Sequence, residues 1–92
     1  MTGNYFLAKS NFDNGDLESS INLLNDMLLV NPDNEEALLL RGLAFYRMQK
    51  WGEAINDFSS VLELKPDHTE AKLRLEMAEN ILGYFTPDLF NP

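Results

Sequence analysis

The side chains best able to do chemistry here are one histidine, two serine pairs and fifteen carboxylates, and their spacing limits what they can do together. Asp13, Asn14, Asp16 and Glu18 surround Gly15, which faintly suggests a calcium loop. The full ladder of alternate oxygen ligands with its closing Glu is missing, and Asn14-Gly15 is ordinary turn chemistry. His68 stands alone, so a His–His metal pair is impossible. Flanked by Asp67 and Glu70, it reads as part of a helix start. Ser19-Ser20 and Ser59-Ser60 have no histidine base beside them, which leaves nucleophilic catalysis unsupported. No two carboxylates stand out as a paired acid and base, and no glycine loop could cradle a phosphate. No catalytic residue, metal ligand or cofactor site is expected, and the chain is read as a non-enzyme.

The elements that would carry these residues are helical. Thr2 to Asn14 holds Tyr5, Phe6, Leu7, Ala8 and Phe12, and stops at Asn14-Gly15, with Asp16 able to cap the next helix. Leu17 to Val30 places Leu17, Ile21, Leu24 and Leu28 on one apolar stripe. Asn31-Pro32 ends it, because the residue before proline is driven from the α region. Asp33 with Glu36 makes a capping-box opening for a third helix, Asn34 to Met48. The turn Gln49-Lys50-Trp51-Gly52 leads to a fourth helix ending near Leu64, with Trp51 expected to pack on a neighbour. Asp67 with Glu70 repeats the capping pattern for Thr69 to Phe85. No stretch alternates with the period of a strand, so the fold class is all-α.

Composition narrows the partners. Acids outnumber bases 15 to 7 for a net charge of -8, the wrong sign for nucleic acid or an anionic membrane. Apolar residues make up 45% of the chain, enough for a modest core in 92 residues. Without cysteine there is no disulfide frame, a composition compatible with a reducing compartment. The first residues lack a basic segment followed by an apolar one, and the longest apolar runs are too short to span a bilayer. A soluble, cytoplasmic protein is expected.

Pro32 and Pro66 set two stretches in register at an offset of 34 residues, the length of a helix-turn-helix repeat. Within 35–68, Leu38, Gly42, Phe45, Ala54, Phe58, Val61 and Pro66 fall at fixed spacing, with Arg41 where Leu is usual. This pattern resembles the tetratricopeptide repeat. Residues 1–34 fit less well: Leu7, Ala8, Leu24 and Pro32 match, while Asn4, Asn11 and Ser20 depart. In the fifth helix Lys72, Glu76 and Glu79 replace Leu38, Gly42 and Phe45. Charges there would be costly under a covering helix, so that helix is expected to cap the stack. Ala71, Leu75, Ala78 and Leu82 form its inward stripe. The expected organisation is one domain over 1–85 (repeats 1–34 and 35–68, capping helix 69–85) and a tail over 86–92.

The resemblance implies a concave groove lined by the leading helix of each repeat. Its positions would be Tyr5, Lys9, Phe12 and Asp13, then Leu39, Leu43, Tyr46 and Arg47, then Leu73, Met77, Asn80 and Ile81. Most are apolar, which marks a face for binding. Some family members clamp a chaperone's C-terminal carboxylate with Lys, Asn and Arg. Here only Arg74 resembles a clamp residue, with Tyr5, Leu40 and Glu70 at the other positions, so that ligand is not expected. The expected function is a protein-interaction adaptor holding an apolar peptide or helix. Leu39, Leu43, Tyr46, Leu73 and Met77 would be its floor, and Lys9 and Arg47 its rim. The alternative is a homo-oligomeric subunit, such as a homodimer, using groove and tail. Tyr84, Phe85, Leu89 and Phe90 are apolar enough to anchor that tail on its own chain or a neighbour.

Overall fold

The structure, a computed structural model, describes the backbone of residues 2–85 and the side chains of residues 4–83. Five helices are found there: α1 (Thr2–Asp13), α2 (Leu17–Val30), α3 (Glu35–Arg47), α4 (Trp51–Leu64) and α5 (Thr69–Phe85). Each packs on the next, and α1 also touches α3. The result is an all-α stack of two helical hairpins followed by one further helix.

Each hairpin bends where a leading helix ends in a left-handed residue. In the first, Gly15 has φ 84°, and Asp16 N–H donates to the Asn11 carbonyl at 2.8 Å. In the second, Gln49 holds φ 62° and Lys50 N–H donates to the Phe45 carbonyl at 2.9 Å. Both are Schellman endings, one on the expected glycine and one on a residue with a side chain. Asp16 caps α2 by accepting from Ser19 N–H at 3.3 Å.

The caps of α3 and α5 lie one residue beyond the expected ones. Asn34 Oδ1, not Asp33, accepts from Ala37 N–H at 3.1 Å. His68 Nδ1, not Asp67, accepts from Ala71 N–H at 3.1 Å. Proline explains the shift. Asn34 N–H bonds the Asn31 carbonyl at 3.1 Å and His68 N–H the Lys65 carbonyl at 3.0 Å, so each proline-led turn consumes the aspartate. Trp51 is also displaced from its expected place in the turn. It opens α4, with its ring edge-on to Tyr46 at 5.1 Å between centroids.

The core gathers Leu24, Leu28, Leu38, Leu40 and Val61 around Ala8, Ala37 and Ala71. Burying each leucine contributes about 1.5–3 kcal/mol. Gly42 admits the fully buried Phe58, whose Cε1 would lie only 2.7 Å from a Cβ at that position. One hairpin earlier in register the same seam carries Ala8 and Leu24, a slightly larger residue facing a slightly smaller one. Ser20, where alanine is usual, is fully buried and donates its hydroxyl to the Ala8 carbonyl at 2.8 Å. That bond satisfies a polar atom which would otherwise be costly inside.

On α5, Ala71 and Ala78 are fully buried, while Lys72, Glu76 and Glu79 face solvent. The described part of the stack thus closes on charge. Among the described residues no helix is long and apolar enough to cross a membrane.

Candidate interaction groove

The contact between α1 and α3 sets the groove. The two helices run in the same direction, so their ends coincide. At the C-terminal end Arg47 sits over the Phe12 ring, 5.0 Å from its centre, and donates to the Phe12 carbonyl at 3.3 Å. At the N-terminal end Tyr5 lies close enough to Glu36 to feel its charge. Burial raises the pKa of the Tyr5 phenol, Glu36 and Asp13 add to the rise, and Lys9 opposes it. α5 joins from the far side. His68 Nε2 lies 3.6 Å from Glu35 Oε2, and the Arg74 guanidinium stands 5.8 Å from the centre of the Tyr46 ring.

Together these helices enclose an open cavity of about 760 Å³. Tyr5, Lys9, Phe12, Leu39, Leu43, Tyr46 and Arg47 all line it. Leu73, Met77 and Ile81 do not. Leu73 is 54% exposed and Met77 37%, whereas Ile81 is half-buried. From α5 the cavity receives Glu70 and Arg74 instead, with His68 just before the helix and Glu35, Glu36 and Leu40 from α3. Seating Ala71 and Ala78 on α4 turns the Glu70 and Arg74 side of α5 toward α3. The signal for this was present in register: Glu70 and Arg74 lie 34 residues after Glu36 and Leu40.

α5 continues through Tyr84 and Phe85. The side chains of those two residues, and Leu89 and Phe90 of the tail, lie outside the described residues.

The rim is charged. Lys9 pairs with Asp13 at 2.8 Å on the exposed side of α1, and that hydrogen bond raises the pKa of its ammonium. Arg74 Nε is buried without a hydrogen-bond partner among the described residues, with Glu70 Oε2 lying 3.8 Å away. The groove therefore has an apolar floor, aromatic walls and side chains of both signs.

Behind the groove, Arg41 ties the hairpins together. Its Nε and Nη2 donate to the two Asp57 carboxylate oxygens at 2.8 and 2.7 Å, and its Nη1 donates to Asn25 Oδ1 at 2.9 Å. One side chain on α3 thus holds both α4 and α2. The bonds that it donates to Asp57 raise the pKa of the guanidinium against the opposing effect of its partial burial. In the sequence, Arg41 registers only as a departure from the repeat pattern. The clue to its role was Asp57, an acid at a position that faces inward.

Stacked helical hairpins of this kind define an α-solenoid. The chain carries a match to the tetratricopeptide repeat family model over residues 35–68. It is also similar to the DnaJ homolog subfamily C member 7 homolog of Schizosaccharomyces pombe, 36% identical over 72 residues. That match covers 78% of this chain but only 15% of the relative's length. Repeats of this family generally mediate protein–protein interactions.

Proposed function

We propose that this chain is a non-catalytic adaptor that holds an apolar peptide or helix in the groove between α1 and α3. The observation supporting this reading is the convergence of Tyr5, Phe12, Leu39, Leu43 and Tyr46 on one open cavity. A cavity of about 760 Å³ suits the anchor side chains of a docked segment. Leu73 and Met77, exposed on α5, would extend the floor for a longer ligand. The tail anchors Leu89 and Phe90 would compete for the same apolar surface or cover another. Its setting would be the cytoplasm.

The test is a displayed random-peptide library selected on the 92-residue chain and, in parallel, on Leu43→Glu. Peptides with apolar centres should be enriched on the first and lost on the second, with helicity by circular dichroism unchanged. Failure to enrich such peptides, or their retention by Leu43→Glu, ends the reading.

A second reading, self-association, is favoured by the outer flank of α1. Phe6 is 77% exposed there and Leu7 50%. The corresponding position to Phe6 on α3, Leu40, is buried in the core. A second copy could cover this flank. Light scattering decides it: a dimer that Phe6→Glu converts to monomer supports self-association, and a monomer at high concentration removes it.

A further inference from the structure

Resting on the adaptor reading, we infer that the groove is electrically polarised along its length and selects a segment with charges of opposite sign at its two ends. Glu35, Glu36 and Glu70 stand at the end where α3 and α5 begin. Arg47 stands at the other end, against Phe12, while Arg74 lies between, over Tyr46 and 3.8 Å from Glu70.

Helix-dipole compensation alone would favour acids in a first turn and Arg47 in a last one. It does not account for Arg74, which lies on the second turn of α5 and reaches over Tyr46. Glu36 and Arg47 form no ion pair among the described residues, whereas Glu35 lies 3.6 Å from His68 and Arg74 lies 3.8 Å from Glu70. Charges of both signs are thus left available at opposite ends of an apolar floor, although the chain as a whole carries -8.

The occupant is therefore a segment with an apolar centre, basic residues over Glu36 and acidic residues over Arg47. The 13 residues of α3 give it a seat about 20 Å long. Complementary end charges add modest affinity and fix the direction in which the ligand lies.

Two synthetic peptides of identical composition test this on the full chain. One has a leucine-rich centre, lysines before it and glutamates after it. Its isomer has the same centre with lysine and glutamate mixed at both ends. Equal net charge removes any bulk attraction to an acidic protein. By fluorescence anisotropy at low salt, the polarised peptide should bind about threefold to tenfold more tightly. Arg47→Glu and Glu36→Lys should each abolish that preference, and so should high salt. A nitroxide on the glutamate end should broaden the amide resonance of Arg47 more than that of Glu36. Equal affinity of the isomers, or broadening at both ends, overturns the polarity while leaving peptide docking intact. If neither peptide binds, or if binding survives Leu43→Glu, the groove reading falls and the polarity with it.

Discussion

Arg41 grips Asp57 through two hydrogen bonds, at 2.8 and 2.7 Å, across a seam where the first hairpin carries Leu7 and Leu23 in the same register. One hairpin carries an ion pair at these positions and the other carries two leucines, of which Leu7 is 50% exposed. Asp57 is almost fully buried, with only 5% of its side chain exposed, while Arg41 retains 24%. Asp57→Ala leaves a cation with poor access to water and should cost about 2–4 kcal/mol, read from urea unfolding. The double change Arg41→Leu with Asp57→Leu, which copies the first hairpin, should fall within about 1 kcal/mol of the parent. A double variant as damaged as the single one would show that the pair supplies more than mutual neutralisation.

Gln49 is held in a left-handed backbone that Gly15 adopts freely. Its side chain is exposed, so little packing is at stake. Gln49→Gly should raise stability by about 0.5–1 kcal/mol, measured as a higher denaturation midpoint. Gly15→Ala should lower it by a similar amount.

Gly42→Ala opposes two effects. Alanine favours the helix by about 1 kcal/mol. The added methyl would sit 2.7 Å from Phe58, whose ring is fully enclosed. Overpacking of this kind costs about 1–3 kcal/mol, so net destabilisation is expected. Phe58→Leu should relieve it, reproducing the Ala8 and Leu24 pairing of the first hairpin.

Tyr5 makes stability depend on alkaline pH. Its pKa lies above the ordinary 10.0, chiefly because the ring is partly buried. Folding thus favours the neutral phenol. That contribution is complete below pH 10.0 and is lost as the pH rises through the folded-state value. Tyr5→Phe should flatten the alkaline decline in unfolding free energy relative to the parent. Parallel curves for the two proteins would show that Tyr5 does not couple to folding.

The stack was legible in the sequence wherever local signals and long-range spacing agreed. Pro32 and Pro66 announce two turns at once, and Gly42 with Phe58 records a close helix contact in two residue types. The caps were misread because Asp33 and Asn34 are both good capping residues, and only the hydrogen bonds of the proline turn choose between them. The groove was read from columns of the repeat. It receives Glu70 and Arg74 from α5, which the 34-residue register with Glu36 and Leu40 records and the chosen columns passed over. Arg41 stood out only as an exception, since its partner lies sixteen residues away on another helix.

The two flanks of the stack are chemically mismatched. Phe6 and Leu7 lie open on α1, whereas α5 shows Lys72, Glu76 and Glu79. A copy arriving front-to-back would have to press a phenylalanine onto carboxylates and strip them of water. Between the described flanks a front-to-back contact is therefore disfavoured relative to a face-to-face one through α1.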